Sequence, residues 1–192
     1  MMTKKQLKEL RVESLLTAAV EEFLEKGYAG ASVDAIAKRA GVSKGGVYHH
    51  FPNKEALLME ANQKLSEPVM EMAERAYLNS SAMEGLRQYI QEYLSYWVSR
   101  PRELSFFFLS MSKSLEAPAL MEYYREYVQQ STAFFVGMFQ KAVESGESDL
   151  TDPEAYGISL MGALDGVVSY AMIHPEEDIQ LLAERCGQVW LK

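Results

Sequence analysis

The chain has 192 residues, of which 48% are hydrophobic and 24% charged, with a formal net charge of −8. That length buries a real core in one or two domains, and the acidic balance argues against a general nucleic-acid coat. One cysteine and three histidines rule out an internal disulfide and supply no recognisable metal-ligand set, so no metal and no cofactor are expected.

The chain opens MMTKKQLKEL, charged and without the apolar core of a signal segment. No uncharged apolar run reaches the roughly 18–20 residues of a membrane span. The richest stretch, residues 155–173, is interrupted by Asp165. With a lone cysteine, the expectation is a cytoplasmic protein without a membrane segment. Charge is unevenly spread. Residues 1–60 hold 9 basic and 8 acidic side chains, and the rest of the chain holds 10 and 19. A near-neutral head on an acidic body suits a protein that meets DNA at one end only.

Residues 6–26 read as an amphipathic helix, with Leu15, Ala19 and Phe23 at i, i+4 spacing. Gly27 ends it. Ser32 reads as the next N-cap, with Asp34 well placed in the first turn. Val33, Ile36, Ala37 and Ala40 give a short apolar face that stops at Gly41, a residue suited to the left-handed C-terminal position. Ser43 is a second N-cap, and the helix that follows runs over residues 44–50. Two short helices joined by a tight glycine turn form the helix-turn-helix signal.

Residues 40–54, AGVSKGGVYHHFPNK, break local rules. Lys44 sits where the helix dipole disfavours a cation by roughly 0.3–1 kcal/mol. Gly45 and Gly46 each cost about 1 kcal/mol against alanine. Asn53 is another N-cap, and Lys54 again places a cation at a helix start. Rules broken without a gain in stability mark function, and here the compensating partner would be an anion. Between residues 38 and 54 lie Lys38, Arg39, Lys44 and Lys54 and no acid, with Tyr48, His49 and His50 as further donors. The glycines would let a groove wall approach the backbone.

Pro52 breaks the chain, and a long helix begins at Asn53 with Pro68 inside it, where a kink is expected. Further helices are expected over residues 83–99, from Pro101, over 119–145, over 153–173 behind Asp152 and Pro153, and from Pro175 with Glu176, Glu177 and Asp178 in its first turn. Nothing alternates as a strand. The expectation is an all-α protein of about nine helices: a helix-turn-helix DNA-binding domain over residues 1–52 and a helical body over 53–192, to which the resemblance described next assigns ligand binding and dimerisation.

Residues 18–58, AAVEEFLEKGYAGASVDAIAKRAGVSKGGVYHHFPNKEALL, resemble the tetracycline-repressor (TetR) family of bacterial transcription regulators. The helix spacing, the turn at residues 40–43, the Tyr48, His50 and Phe51 end of helix three and the following Asn53 and Lys54 all match. Beyond this stretch only the helical layout and residues 164–166 are similar. The resemblance implies a homodimer, joined through the last two helices, on a palindromic DNA operator, with helix three in a major groove. It places Lys44 and Tyr48 at bases or adjoining phosphates, Tyr48, His50 and Lys54 on phosphates, and Ser32 at another. Ser43, Gly45, Gly46 and His49 complete the expected interface. The two glycines depart from the family pattern and leave few side chains to read bases. Lys44 to guanine is the expected direct contact, with DNA shape supplying the rest.

Nine of eleven tyrosines, both tryptophans and nine of eleven methionines lie beyond residue 58. Such a body suits either an adaptable apolar pocket or simply a core and dimer interface. The family uses this region for an inducer, which implies a small-molecule effector. Tyr93, Phe107, Met111, Tyr127 and Phe135 are the expected lining, with Asp165 facing a cationic group or serving helix packing. Gly162 and Gly166 would allow close helix approach. Cys186 has only Arg185 nearby to lower its pKa and is not read as a redox sensor. The expected function is a ligand-responsive repressor. The alternatives are a helical-bundle enzyme or small-molecule carrier, for which no nucleophile–base pair is visible, and an activator controlled by a protein partner.

Overall fold

The computed structural model describes residues 3–191. Nine helices follow one another, with no strand among the described residues: α1 (Lys4–Gly30), α2 (Val33–Ala40), α3 (Lys44–His50), α4 (Lys54–Leu78), α5 (Ala82–Val98), α6 (Pro101–Ser114), α7 (Pro118–Glu144), α8 (Pro153–Ile173) and α9 (Ile179–Trp190). The all-α expectation holds.

Local chemistry sets the helix starts. Ser32 Oγ accepts from the Ala35 amide at 3.1 Å, Ser43 Oγ from Gly46 at 3.0 Å and Asn53 Oδ1 from Ala56 at 2.7 Å. Asp152 Oδ1 accepts from Ala155 at 3.0 Å behind Pro153. Each satisfies an amide that the helix itself leaves open. Gly41 takes φ +70°, the left-handed turn that ends α2. Gly27, at φ +67°, interrupts α1 near its end. α4 is continuous through Pro68. The last helix differs from expectation. Pro175, Glu176 and Glu177 lie outside it, because Asp178 is the cap and accepts from Gln180 and Leu181 at 2.8 and 3.3 Å.

The described chain divides into two compact units, with boundaries inside α4, α6 and α7 and not at residue 52. One unit comprises the chain up to Ser66 together with Arg102–Tyr124. Its core joins Leu15, Ala19 and Phe23 of α1 to Ile36 of α2, Val47 of α3 and Leu57 and Leu58 of α4. Phe23 also meets Phe106 at 6.0 Å. A buried polar knot lies in the same unit. Asn62 Oδ1 accepts from Ser110 Oγ at 2.7 Å and from the Tyr124 hydroxyl at 3.1 Å, while its amide donates to the Leu58 carbonyl at 2.8 Å. Buried groups satisfied in this way fix one arrangement of the helices that carry them.

The other unit comprises Glu67–Pro101 and Arg125–Lys192. Leu86, Ile90, Leu94 and Trp97 of α5 are buried with Leu160, Leu164 and Val168 of α8 and Ala183 of α9. Within the chain, close packing falls on Gly85 and Gly157. A Cβ on Gly85 would clash with the Ala76 carbonyl, and one on Gly157 would stand 2.7 Å from the Val136 backbone nitrogen. Beside Gly162 and Gly166 there is open space. Cys186 is buried, and burial pushes its thiol pKa up, away from reactivity.

Candidate nucleic-acid interface and ligand cavity

In the first unit, α3 turns Val47 inward, 1% exposed, with Phe51 buried behind it. Lys44, Gly45, Tyr48 and His49 are left on the exposed side. Tyr48 is 46% exposed, an aromatic donor with no packing role. Neither glycine is demanded by the fold. A Cβ on Gly45 would come no nearer than 3.9 Å to Ser43 Oγ, and one on Gly46 no nearer than 3.4 Å. At Gly45, which is exposed, the bare backbone therefore faces outward without an internal reason. The cap hydroxyls of Ser32 and Ser43 spend acceptor capacity on Ala35 and Gly46. Each retains its own O–H to donate.

Two lysines have internal partners that sequence reasoning missed. Lys44 Nζ lies 2.7 Å from the Asp34 carboxylate, both exposed. The hydrogen bond to Asp34 holds the lysine pKa up. A cation at the start of α3 is thus answered by an acid in the first turn of α2. Lys54 Nζ donates to the carbonyls of Tyr28 at 2.6 Å and Ala31 at 3.0 Å and sits 4.4 Å above the Tyr28 ring. Burial lowers its pKa. It closes the end of α1 with two of its three N–H groups. Arg39 likewise pairs with Glu25 at 2.7 Å. Spacing showed which residues were basic, but not which acids another helix would bring to them.

In the second unit, a cavity of about 620 Å³ opens among α4, α5 and α7. Val69, Met70, Ala73, Tyr77 and Leu78 form one wall, Tyr89 the floor, and Tyr127, Ala133 and Phe134 the other wall. The polar groups among the lining are Glu74, Gln130 and Ser131 besides the tyrosine hydroxyls, and none of the lining residues is cationic. Of the expected lining residues, Tyr127 is there. Tyr93 and Phe135 pack against Tyr89 at 5.6 and 5.4 Å. Phe107 and Met111 belong to the other unit, where Phe107 meets Tyr124 edge-on at 5.7 Å. The α4 wall was missed, although Met70, Ala73 and Tyr77 share one helical stripe.

Asp165 accepts from the Tyr93 hydroxyl at 2.9 Å, joining α8 to α5. Crowding by protein raises its carboxyl pKa, opposed by the Tyr93 hydrogen bond. The residue stays open to solvent on one side. The carboxylate in turn helps push the buried Tyr93 hydroxyl pKa well up, after burial itself.

α8 carries exposed Ile158, Tyr170 and Ile173, the last 75% exposed, and α9 adds Leu181 and Val189. By length and composition α8 also meets the requirement for crossing a membrane, yet only 28% of its most apolar stretch is buried within this chain.

A helix-turn-helix unit presenting a bare, basic α3 defines the class of DNA-binding transcription regulators. Residues 15–61 match the family model of the bacterial regulatory proteins, tetR family. Over 181 residues the chain is 25% identical to the HTH-type transcriptional regulator YwcC of Bacillus subtilis (strain 168), covering 88% of this chain and 80% of that protein. It is 35% identical over 82 residues to the fatty acid metabolism regulator protein of the same organism, spanning 42% of each. A transcriptional regulator from Pseudomonas aeruginosa PAO1 superposes with a TM-score of 0.84 at 26% identity, over 95% of this chain and 89% of that one. FadR from Bacillus subtilis, in complex with stearoyl-CoA, superposes with a TM-score of 0.75 at 24% identity over 94% and 97%, a likeness of fold. Residues 15–61 thus carry the DNA-binding domain of the tetR family of bacterial regulatory proteins, and the chain, similar over most of its length to proteins of that kind, is a DNA-binding transcriptional regulator.

Proposed function

We propose that the protein is a ligand-responsive repressor that binds a palindromic operator as a homodimer and is released by a small, largely apolar or aromatic effector. The observation that carries the DNA reading is the outer face of α3. Lys44, Tyr48 and His49 stand exposed beside a glycine backbone that no internal contact requires. DNA binding divides into backbone grip from Ser32, Ser43, Tyr48, His50 and the free N–H of Lys54, and base contact from Lys44 near Gly45 and Gly46. In this functional sense residues 1–52 form the DNA-binding part and 53–192 the effector and dimer part.

The effector reading rests on the cavity in the second unit. Its walls are tyrosine, phenylalanine, methionine and aliphatic groups, the lining expected for a drug-sized apolar ligand. With Glu74 and no cation among those lining residues, a neutral or cationic effector is favoured over an anionic one. The homodimer reading rests on the exposed apolar residues of α8 and α9, larger than scattered surface hydrophobics require. A cytoplasmic location follows from a DNA-binding role.

The test is a selection of duplexes from a random library by the purified protein, followed by anisotropy on the enriched duplex. Enrichment of a palindrome, with loss of affinity in Tyr48→Ala, is the expected outcome. Failure to enrich any sequence would overturn the reading. Apolar aromatic compounds that release the duplex, and no longer do so after Tyr89→Ala, would identify the effector site. In a reporter strain, a target that rises when the gene is deleted supports a repressor, and one that falls makes the protein an activator.

A further inference from the structure

Between the N-terminal half of α1 and the end of α3 lies a cleft of about 310 Å³ lined by Leu7, Lys8, Arg11, His49 and His50. Lys8 and Arg11 stand three residues apart on one face of α1. The two imidazole rings meet edge-on, 5.1 Å between centroids. His50 is half-buried against Phe51, whose ring lies 6.2 Å away. Four groups that are cationic, or become so on protonation, converge here. No carboxylate lines the cleft, and neither Lys8 nor Arg11 is ion-paired among the described residues. The contrast within the same unit is plain, because Lys44, Arg39 and Arg102 each have an acid within hydrogen-bond reach. An unanswered positive cleft beside the DNA-facing helix calls for an external anion.

We propose that Lys8, Arg11, His49 and His50 form one site for a DNA backbone phosphate, and that filling it draws a proton onto the histidine pair, so that DNA binding strengthens as pH falls. This deepens the DNA-binding reading and rests on it. It adds two α1 residues to the interface and gives the adjacent histidines a joint role. The charged and titratable groups facing His50 are Lys8 and Arg11 from α1 and His49 from α3, all of one sign. Without an anion they oppose its protonation, and burial does so too, lowering its pKa. A phosphate reverses the sign of the local field, so the imidazolium becomes the favoured form and the complex binds protons the free protein does not. The end of α3 adds to this, since a helix C-terminus favours a cation.

The experiment is anisotropy with the full-length protein on a duplex of about 40 base pairs, enriched by the wild type from a random library, between pH 6 and 8 at fixed ionic strength. Wild-type affinity is expected to rise by at least about threefold from pH 8 to pH 6. Calorimetry in buffers of different ionisation enthalpy should show proton uptake on binding. His49→Asn and His50→Asn should each reduce the pH dependence, and the double variant should abolish it. Lys8→Gln with Arg11→Gln should make the dependence of log affinity on log salt shallower, by about 0.9 for each phosphate released. His49 is exposed, so His49→Asn serves if His50→Asn fails to fold by circular dichroism. Sequence-specific binding with a flat pH profile would overturn the proposal while leaving the regulator reading intact. An unchanged salt slope in the Lys8→Gln, Arg11→Gln protein would overturn the phosphate site. No enrichment of any duplex at any pH would overturn both readings.

Discussion

The Lys54 ammonium donates to the Tyr28 carbonyl at 2.6 Å, across 26 positions of chain. A second bond to Ala31 at 3.0 Å makes it the closing group for the end of α1. Lys54→Met keeps the apolar stem and removes the donor. Part-buried carbonyls left without their partner cost about 1–2 kcal/mol, so the urea midpoint is expected to fall accordingly. Any loss of DNA affinity in this variant then has to be compared at matched folded fraction. An unchanged midpoint would mean water replaces the ammonium fully.

The Asp34–Lys44 pair gives a second expectation. The same lysine cannot serve both this carboxylate and DNA at full strength. Asp34→Asn keeps the first-turn residue small and polar while removing a negative charge from the DNA-facing side. DNA affinity is expected to rise several-fold at low salt, on enriched and random duplexes alike, and the gain should shrink as salt screens it. Anisotropy titrations at two salt concentrations check this. A fall in affinity would show that Asp34 holds Lys44 in its working position.

Those two lysines also show what was legible in the chain and what was not. Ser32, Gly41, Ser43, Asn53 and Asp152 were readable because a cap needs only residues three positions apart. The face of α3 was readable because Val47 and Phe51 are apolar where Lys44, Tyr48 and His49 are not. The partners of Lys44 and Lys54 were hidden, since Asp34 and the Tyr28 carbonyl arrive on other helices. The cavity was hidden for the same reason. Tyr127 was placed in the lining, but Tyr89 looked like any core aromatic until α4 supplied the facing wall. The start of α9 was misread because four residues in a row suited a helix opening, and only Asp178 caps it.

Close packing separates two glycines of α8. Gly157→Ala would drive a methyl group within 2.7 Å of the Val136 backbone, and overpacking of that kind costs about 1–3 kcal/mol. Gly162→Ala meets open space within the chain and should gain up to about 1 kcal/mol of helix propensity. Urea unfolding should therefore move in opposite directions for the two variants. If α8 packs against a second copy, Gly162→Ala should also weaken the dimer in analytical ultracentrifugation.

Glu147 and Asp165 predict opposite pH effects on stability. Glu147 accepts from Ser81 Oγ and from the amides of Ala82 and Met83 at 3.0 and 3.1 Å, capping α5. The Ser81 and amide hydrogen bonds lower its pKa to about 2. A depressed carboxyl pKa contributes stability that is present above the ordinary value near 4.5 and lost as pH falls toward 2. Asp165, with its pKa raised, contributes the other way and gains as it protonates. Glu147→Gln should flatten the acid side of a stability profile recorded from pH 6 down to 2.5, and Asp165→Asn should leave that acid loss in place. Equal profiles for wild type and Glu147→Gln would remove the cap from the account.

Gly45 offers the sharpest separation of fold from function. In the free protein a methyl group there has room, 3.9 Å from its nearest neighbour. Alanine should stabilise the short α3 by about 0.5–1 kcal/mol. A protein selected for stability alone would gain from that change. If the glycine is there so that DNA can approach the backbone, Gly45→Ala must raise the urea midpoint and lower affinity for the enriched duplex together. Affinity for a random duplex should fall less, because loose backbone contacts do not require the same approach. A stabilised variant with unchanged specific affinity would show that the groove wall stays clear of α3 at this point, and base contact would then have to come from Lys44 and Tyr48 at longer reach.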